Sequence, residues 1–577
     1  MSTASEPGPV PEPVALELSG AEDGVARALR RCLDGPSGIP SAMSTAQDPV
    51  AVWIADRTAP DAAAASRWAR AAVEAGRRRL ILVASAEIHP ASHRHPGLVD
   101  EDAVPGRLPE GGKAAAWQAL EDAVRGAVAE ALSAKDLSAE ALSSEDLSSE
   151  DLIELLVLRP TILTAADGED LWSRLVRGRV GRVVFVPAGF DPSVQWLAVE
   201  EPADILRRLA ALPSSRLIDA ARREGAAWVL TLHVAPDGAG SLRRAPKARG
   251  LRPIGLPSSL LRRLLKRGPA ADAVDYLRYP WTVDGGRLRR LLASTATDEP
   301  PTSEDPVEDP LGFDKAYVDR LGKTFFRFLH DAYWRVEWRG LEHVPTDGNG
   351  VLVGVHRGHQ PWDGVMVLHH LARTLGRYPR FLMHPTLVKH PFLAPYMTKC
   401  GGIHACRRNG DRVLGAGELL AIFPEGIRGA FSYYRDAYEL KAFGRYDFVR
   451  FALRHRAPIV PFVIVGSAEI FPILGKIRWP WWQRVSEWPC LPITPTASLW
   501  PLPSKWHVLV LPAIPTAAEG PDAADDPRRV RELGERVKNQ MQDALTELRR
   551  RRKHIFYGSI FDHVPPDAEW TSPEAPP

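Results

Sequence analysis

The chain has 577 residues, too many for one ordinary domain, and its 45% hydrophobic and 25% charged content is that of a folded soluble protein. A formal net charge of +2 gives no bulk electrostatic case for nucleic-acid binding. Four scattered cysteines, Cys32, Cys400, Cys406 and Cys490, include no Cys-x2-Cys pair and point to a reduced compartment rather than a disulfide frame.

Residues 1–12 are polar and Pro-rich and read as a disordered tail with no basic-then-apolar leader. Residues 13–295 alternate short apolar runs with helix-like stretches. VALEL, PVAVWIAD, RRLILVAS, LLVLRPT and GRVVFVPAG predict strands, and EDGVARALRRCL, AAAASRWARAAVEAG and KAAAWQALEDAVRGAVAEAL predict helices. Such alternation predicts a parallel sheet with helices on both faces. Within it, residues 132–152 space leucines five apart, which fits neither helix nor strand and reads as an expanded surface insertion. An acidic Pro-rich break, residues 296–310, predicts the main domain boundary.

The second half, residues 311–560, opens on a predicted amphipathic helix with Phe313, Tyr317, Leu321, Phe325 and Phe328 on one face. GVLVGVH, ELLAIF, APIVPFVIVG and WHVLVLPAI predict buried strands, and Val530, Leu533, Val537, Met541 and Leu548 predict a C-terminal helix. Residues 561–577 read as a second tail. The longest apolar run, 459–474, has 16 residues and contains Glu469, so no transmembrane helix is expected.

The order of elements in residues 13–295 resembles the extended short-chain dehydrogenase/epimerase family. ILVASAEIH stands where that family has its serine strand, and VLRPTIL resembles its LRP strand. The resemblance implies a Rossmann-like doubly wound fold, but the chemistry is degenerate. Family spacing places glycines three and six after Gly20, where this chain has Asp23 and Ala26. A pyrophosphate needs close backbone approach at a helix N-terminus, and the Glu22–Asp23 charges repel it. Of the family's Tyr-x3-Lys pair only Lys113 is present, the Tyr position being Pro109, and Ser85 is the remnant serine. NAD is therefore not expected as a cofactor.

In the second half, VGVHRGHQPWDGVM places His356 seven residues before Asp363. A histidine can take a proton from an alcohol, and a carboxylate on its other ring nitrogen fixes the tautomer. Gly358 and Pro361 suit the turn that brings them together. His359 opens a metal reading through His-x2-His-x3-Asp; the plainer reading is a structural histidine. A capping or surface position is the default for His369 and His370.

Residues 311–560 resemble the lysophospholipid acyltransferase (PlsC-like) family, with its motifs in order. The chain matches that family's longer His-x6-Asp form and departs from it at Val355 and Arg357, where Asn and Ser are usual. IFPEGIRG resembles the FPEGxRS block, Gly402 and Arg407 fit the Gly-x4-Arg block with Arg408 a near alternative, and Pro461 resembles the Pro that ends a VPV strand. The resemblance implies an α/β glycerolipid acyltransferase domain with His356 as base and Asp363 as its orienter. It also implies acceptor contacts from Arg407, Glu425, Gly426 and Arg428, with Glu425 holding hydroxyls or orienting the loop. It needs no metal. The co-substrates are acyl-CoA or acyl carrier protein and a lipid acceptor at a membrane surface, with a peripheral location on the cytoplasmic inner face. Two rivals stay open: a non-catalytic lipid-binding protein, given Val355 and Arg357, and an oxidoreductase, should the first domain bind NAD. Six tryptophans between Trp479 and Trp506, mixed with Lys476, Arg478 and Arg484, read either as a membrane-interface belt or as a lid packed on the core.

Overall fold

A computed structural model describes residues 15–34 without 22–23, 49–103 without 58, 112–133, 153–164, 181–293 with short breaks, and 309–561 without 445. The N-terminal tail, the body of the 132–152 insertion, Asp23, Pro109 and most of the 296–310 break lie outside the described residues. The chain divides into two compact units between Leu311 and Gly312.

The first unit is built on five strands: β1 (Leu16–Gly20), β2 (Val50–Ile54), β3 (Arg79–Val83), β4 (Glu154–Pro160) and β5 (Val229–Val234). All neighbours pair parallel. Helices cover both faces. Val50, Val52 and Ile54 meet α1 (Gly24–Asp34), while Ala51, Leu80 and Leu82 meet α2 (Ala62–Glu74) and α3 (Lys113–Ser133). The alternation is that of a strand buried on two sides. The fifth strand, VLTLHV, lies outside the runs that predict strands. GRVVFVPAG instead forms a separate parallel pair, Val183–Pro187 with Arg252–Leu256.

The strand order is β1-β2-β3-β4-β5, with β1 at the edge. A dinucleotide crevice opens where a doubly wound sheet reverses its strand order. Among the described residues this sheet steps one way only.

The second unit holds a seven-stranded sheet: β6 (Glu337–Arg339), β7 (Gly350–Val353), β8 (Arg380–Met383), β9 (Gly402–His404), β10 (Leu419–Ile422), β11 (Ile459–Val465) and β12 (His507–Val510). The order is β6-β12-β11-β7-β10-β8-β9. The five strands from β11 to β9 are parallel, and β12 runs antiparallel to β11. Their carboxyl ends therefore share one edge of the sheet.

Three expectations are corrected here. The opening helix ends at Lys323, because Thr324 leaves helical geometry at φ −125°, ψ −91°. The break rotates the following turns, so Phe326 and Leu329 are buried while Phe325 and Phe328 stand in solvent. His369 and His370 lie in α4 (Trp362–Thr374), not at a cap or on the surface. His369 packs edge-on to His330, and His370 stacks flat on Trp338 at 4.1 Å. At the other end, Phe561 is buried against His507 rather than free in a tail.

Candidate active site

Three adjacent strands set the site. Val353 of β7 is in register with Ile422 of β10 and with Pro461 of β11. Just past these residues the chain turns into the two motifs. After β7, Gly358 and His359 both take left-handed backbone, φ +78° and +46°, and reverse the chain. The reversal delivers Asp363 into the first turn of α4, where the helix dipole favours a negative charge. There Asp363 Oδ2 lies 2.8 Å from His356 Nδ1 and also accepts the Arg357 N–H at 2.9 Å.

Asp363 is almost wholly buried, whereas 17% of the His356 side chain remains open. A carboxylate at Nδ1 favours the tautomer with its proton there and Nε2 bare, and the ring is braced against Phe423 at 5.4 Å. This arrangement can remove a proton from an alcohol and keep the resulting imidazolium beside a counter-charge.

The second motif is joined to the first by a contact the spacing did not reveal. Arg357 is buried and pairs with Glu425 at 2.5 Å. It also donates to the carbonyls of Ala437 at 2.5 Å, His356 at 3.0 Å and Glu439 at 3.2 Å. Glu425 Oε1 accepts the Ala442 N–H at 3.0 Å. Of the two parts expected of it, the geometry of Glu425 is that of orienting the loop: its carboxylate is buried and engaged within the chain. Gly429 is required here, since a Cβ would sit 2.5 Å from Glu425 Cβ and 3.0 Å from the Arg357 guanidinium. Arg357 thus occupies the usual Ser position as one half of a buried ion pair.

Gly426 turns at φ +51°, and its N–H donates to the Phe423 carbonyl at 2.8 Å. Arg428 stands exposed on the same turn, two residues before Ala430, whose carbonyl accepts the His359 N–H at 2.9 Å. Arg407 is exposed at the start of α5 (Arg407–Gly415), with Asp411 at 3.4 Å. It follows β9, three strand spacings or about 14 Å from β7. His356, Asp363, Arg357 and Glu425 therefore meet directly, while Arg428 and Arg407 stand out from the same sheet edge.

His359 turns away from Asp363 into the rings of Phe471, Phe431 and Trp488 at 5.3–6.4 Å. Burial, with a smaller push from His356, lowers its pKa to about 4. Among the described residues no group of three or more His, Cys, Asp or Glu side chains is arranged to hold a metal. The tryptophans divide. Trp506 is buried and stacked on Trp334 at 4.6 Å, and Trp488 packs on Phe431, while Trp479, Trp481 and Trp500 are exposed.

In the first unit the remnant residues are tied up. Ser85 Oγ accepts from the Glu87 N–H at 3.2 Å and from Arg57 at 3.1 Å. Lys113 pairs with Glu87 at 2.7 Å. Burial opposes ionisation of Glu87, but Lys113 and Arg57 outweigh it and hold the carboxyl below its ordinary range. Gly20 serves strand packing: a Cβ there would lie 2.2 Å from the Ile54 carbonyl oxygen of the adjacent strand.

The second unit is an α/β protein of the kind that sets a histidine–carboxylate pair at the carboxyl edge of a parallel sheet. The acyltransferase family matches residues 335–465, which hold both motifs and Pro461. An uncharacterized protein of Mycobacterium tuberculosis is 37% identical over 258 residues, 43% of this chain and 72% of that protein. Through its C-terminal half the chain belongs to the acyltransferase family. A human protein described as a DGAT1/2-independent enzyme synthesizing storage lipids is 27% identical over 166 residues, 28% of this chain and 51% of that one. Among solved structures, the 1-acyl-sn-glycerophosphate acyltransferase PlsC of Thermotoga maritima is similar at 20% identity, covering 41% of this chain and 81% of that chain with a TM-score of 0.29. The first unit is similar to MoeE5 in complex with UDP-glucuronic acid and NAD at 14% identity, covering 43% of this chain and 74% of that chain with a TM-score of 0.28.

Proposed function

We propose that the protein moves a fatty acyl group from acyl-CoA or acyl carrier protein to a hydroxyl of a lysophospholipid or other glycerolipid, working peripherally at the cytoplasmic face of the membrane. His356 Nε2 takes the proton of the acceptor hydroxyl as its oxygen attacks the thioester carbonyl. The tetrahedral intermediate then expels the thiolate, which receives that proton from the imidazolium. An ester forms, a thioester breaks, and the imidazole returns neutral. Asp363 keeps the ring in the reactive tautomer throughout. Glu425 and Arg357 act as positioning residues, and Gly426 keeps the turn close enough to admit a head group. Arg428 and Arg407 hold its negative charge. This step needs neither a metal nor a redox cofactor.

The observation that carries this reading is the 2.8 Å approach of a buried carboxylate to an imidazole that stays partly open. Membership of the acyltransferase family supports the reaction class. The storage-lipid synthesis in the human relative's description leaves room for an uncharged acceptor alongside a phosphorylated one. We read the first unit as a fold without dinucleotide chemistry, since among the described residues its strand order does not reverse and its Lys113 and Ser85 are internally paired.

The test is transfer of labelled acyl groups from acyl-CoA to a panel of lipid acceptors with mass-spectrometric detection. His356→Ala is expected to abolish product with an unchanged melting temperature. Equal product from the variant and the parent would overturn the reading.

A further inference from the structure

The segment between β11 and β12 presents apolar surface outward. Its two-stranded ribbon, Gly475–Ile477 with Leu491–Ile493, pairs Ile477 with Leu491 and Gly475 with Ile493. Opposed residues of an antiparallel ribbon share a face. That face carries Ile477, Leu491 and Ile493, all exposed. On the opposite face Pro492 is buried, and Lys476 lies over the Tyr433 ring at 4.0 Å. The usual placement of apolar and charged groups is thus inverted.

The turns beside the ribbon repeat the pattern. Trp479, Trp481 and Trp500 are each 55% exposed, and Leu499 is 86% exposed. Leu499 is held out by backbone: Ala497 and Ser498 take φ +49° and +62°, and the Ser498 N–H is fixed to Thr494 Oγ1 at 2.8 Å. Left-handed backbone at two successive non-glycine residues is unfavourable and persists where the surroundings enforce it. Exposed apolar side chains concentrated in one excursion mark an interaction surface.

Charge selects the partner. Residues 471–500 contain three cations, Lys476, Arg478 and Arg484, and one anion, Glu487, which is paired with Lys389 at 3.1 Å. Arg478 and Arg484 are exposed among the tryptophans. Indole rings favour headgroup depth, and arginines attract anionic lipid. The patch is also fastened to the catalytic turn. Gln360, between His356 and Asp363, donates to the Ser498 carbonyl at 2.9 Å. Trp500 Nε1–H donates to the Tyr333 hydroxyl at 3.2 Å, and Tyr333 adjoins exposed Phe328 at 6.0 Å.

We propose that the 474–500 excursion docks the acyltransferase unit on an anionic lipid bilayer, with Trp479, Trp481, Leu499 and Trp500 inserted at headgroup level and Arg478 and Arg484 facing phosphate. This deepens the functional reading, on which it rests for its purpose, by naming the surface that brings lipid to the His356 turn.

The test is co-sedimentation of the full chain with phosphatidylcholine vesicles, with and without phosphatidylglycerol. The parent and His356→Ala are expected to bind the anionic vesicles equally. Leu499→Glu, and a triple Trp479→Ser/Trp481→Ser/Trp500→Ser variant, are expected to lose about tenfold or more in vesicle affinity at an unchanged melting temperature. Arg478→Gln/Arg484→Gln is expected to remove the preference for phosphatidylglycerol. Leu499→Glu is fully external, so it tests the surface even should the triple variant fold poorly. Vesicle binding by Leu499→Glu equal to the parent's would overturn the proposal. So would a parent that ignores both vesicles and forms a dimer split by Leu499→Glu, which would make the patch an interface between copies. Vesicle binding as stated, together with full acyl transfer by His356→Ala, would uphold the surface and remove the catalytic assignment instead.

Discussion

In the first unit His233 sits one residue before the end of β5; in the second, His356 sits three residues beyond β7. Both belong to the carboxyl side of a parallel sheet, where α/β folds build their sites. His233 is fully buried, its backbone N–H fixed to Glu101 at 3.0 Å. Burial first, then the charges of Arg159, His89 and Arg287, holds its pKa well below the ordinary value. Nearby, Arg159 is locked to Glu121 at 2.7 Å and Lys113 to Glu87. His356 instead pairs at one nitrogen and keeps part of its ring open. A shared sheet edge is therefore not enough. What would separate a packing histidine from a base is access for a second partner, and of these two histidines His356, in the loop after β7, has it.

The largest effect tests that distinction directly. Asp363→Asn keeps the shape but offers Nδ1 a donor, favouring the unreactive tautomer. Acyl-transfer kcat is expected to fall by about 10³–10⁴ while His233→Leu leaves it unchanged. Equal losses in both variants would erase the contrast between the units.

Next comes the buried pair beneath the site. Arg357→Ala strands Glu425 in the interior and is expected to cost about 3–5 kcal/mol in denaturant unfolding of the full chain. Arg357→Met with Glu425→Gln is expected to recover much of that loss, because no buried charge is left alone.

A third prediction concerns acid. His359, His369 and His507 have pKa values lowered by burial to about 4. Each is neutral when folded but protonates near 6.5 when unfolded, so below that pH the unfolded chain binds more protons. Stability is then present above about 6.5 and lost as pH falls from there toward 4. His359→Phe is expected to flatten this loss by about 3 kcal/mol or less, read as melting temperature against pH.

The smallest effect separates head-group binding from chemistry. Arg428→Ala is expected to raise KM for a phosphorylated acceptor about tenfold or more with kcat little changed, since a hydrogen bond to a charged group contributes about 1.5–3 kcal/mol. An uncharged acceptor is expected to show no such rise.

Much of this site was legible in the linear order of residues. The His356–Asp363 spacing, with Gly358 and Pro361 between, already describes a turn that folds back, and the turn forms with Gly358 and His359 left-handed. The apolar runs of β7, β10, β11 and β12 were visible because a strand buried on both faces is apolar throughout. VLTLHV of β5 carries a weaker signal, because its Thr and His break the apolar run. The helix of residues 315–323 misled in another way. Its aromatic period continues past Thr324, but the backbone does not, and the exposed Phe325 and Phe328 are the result.

Local chemistry by itself determined the candidate base, its carboxylate partner, the Gly-rich turn and the aromatic–basic composition of residues 474–500. Those properties depend on neighbours within a few residues, where side-chain type and backbone preference act directly. Only the tertiary structure decided that Arg357 pairs with Glu425, that Trp506 is core while Trp500 is surface, and that the first sheet does not reverse its strand order among the described residues. These depend on which strands lie side by side and which faces they bury, and that is set by packing between segments far apart in the chain.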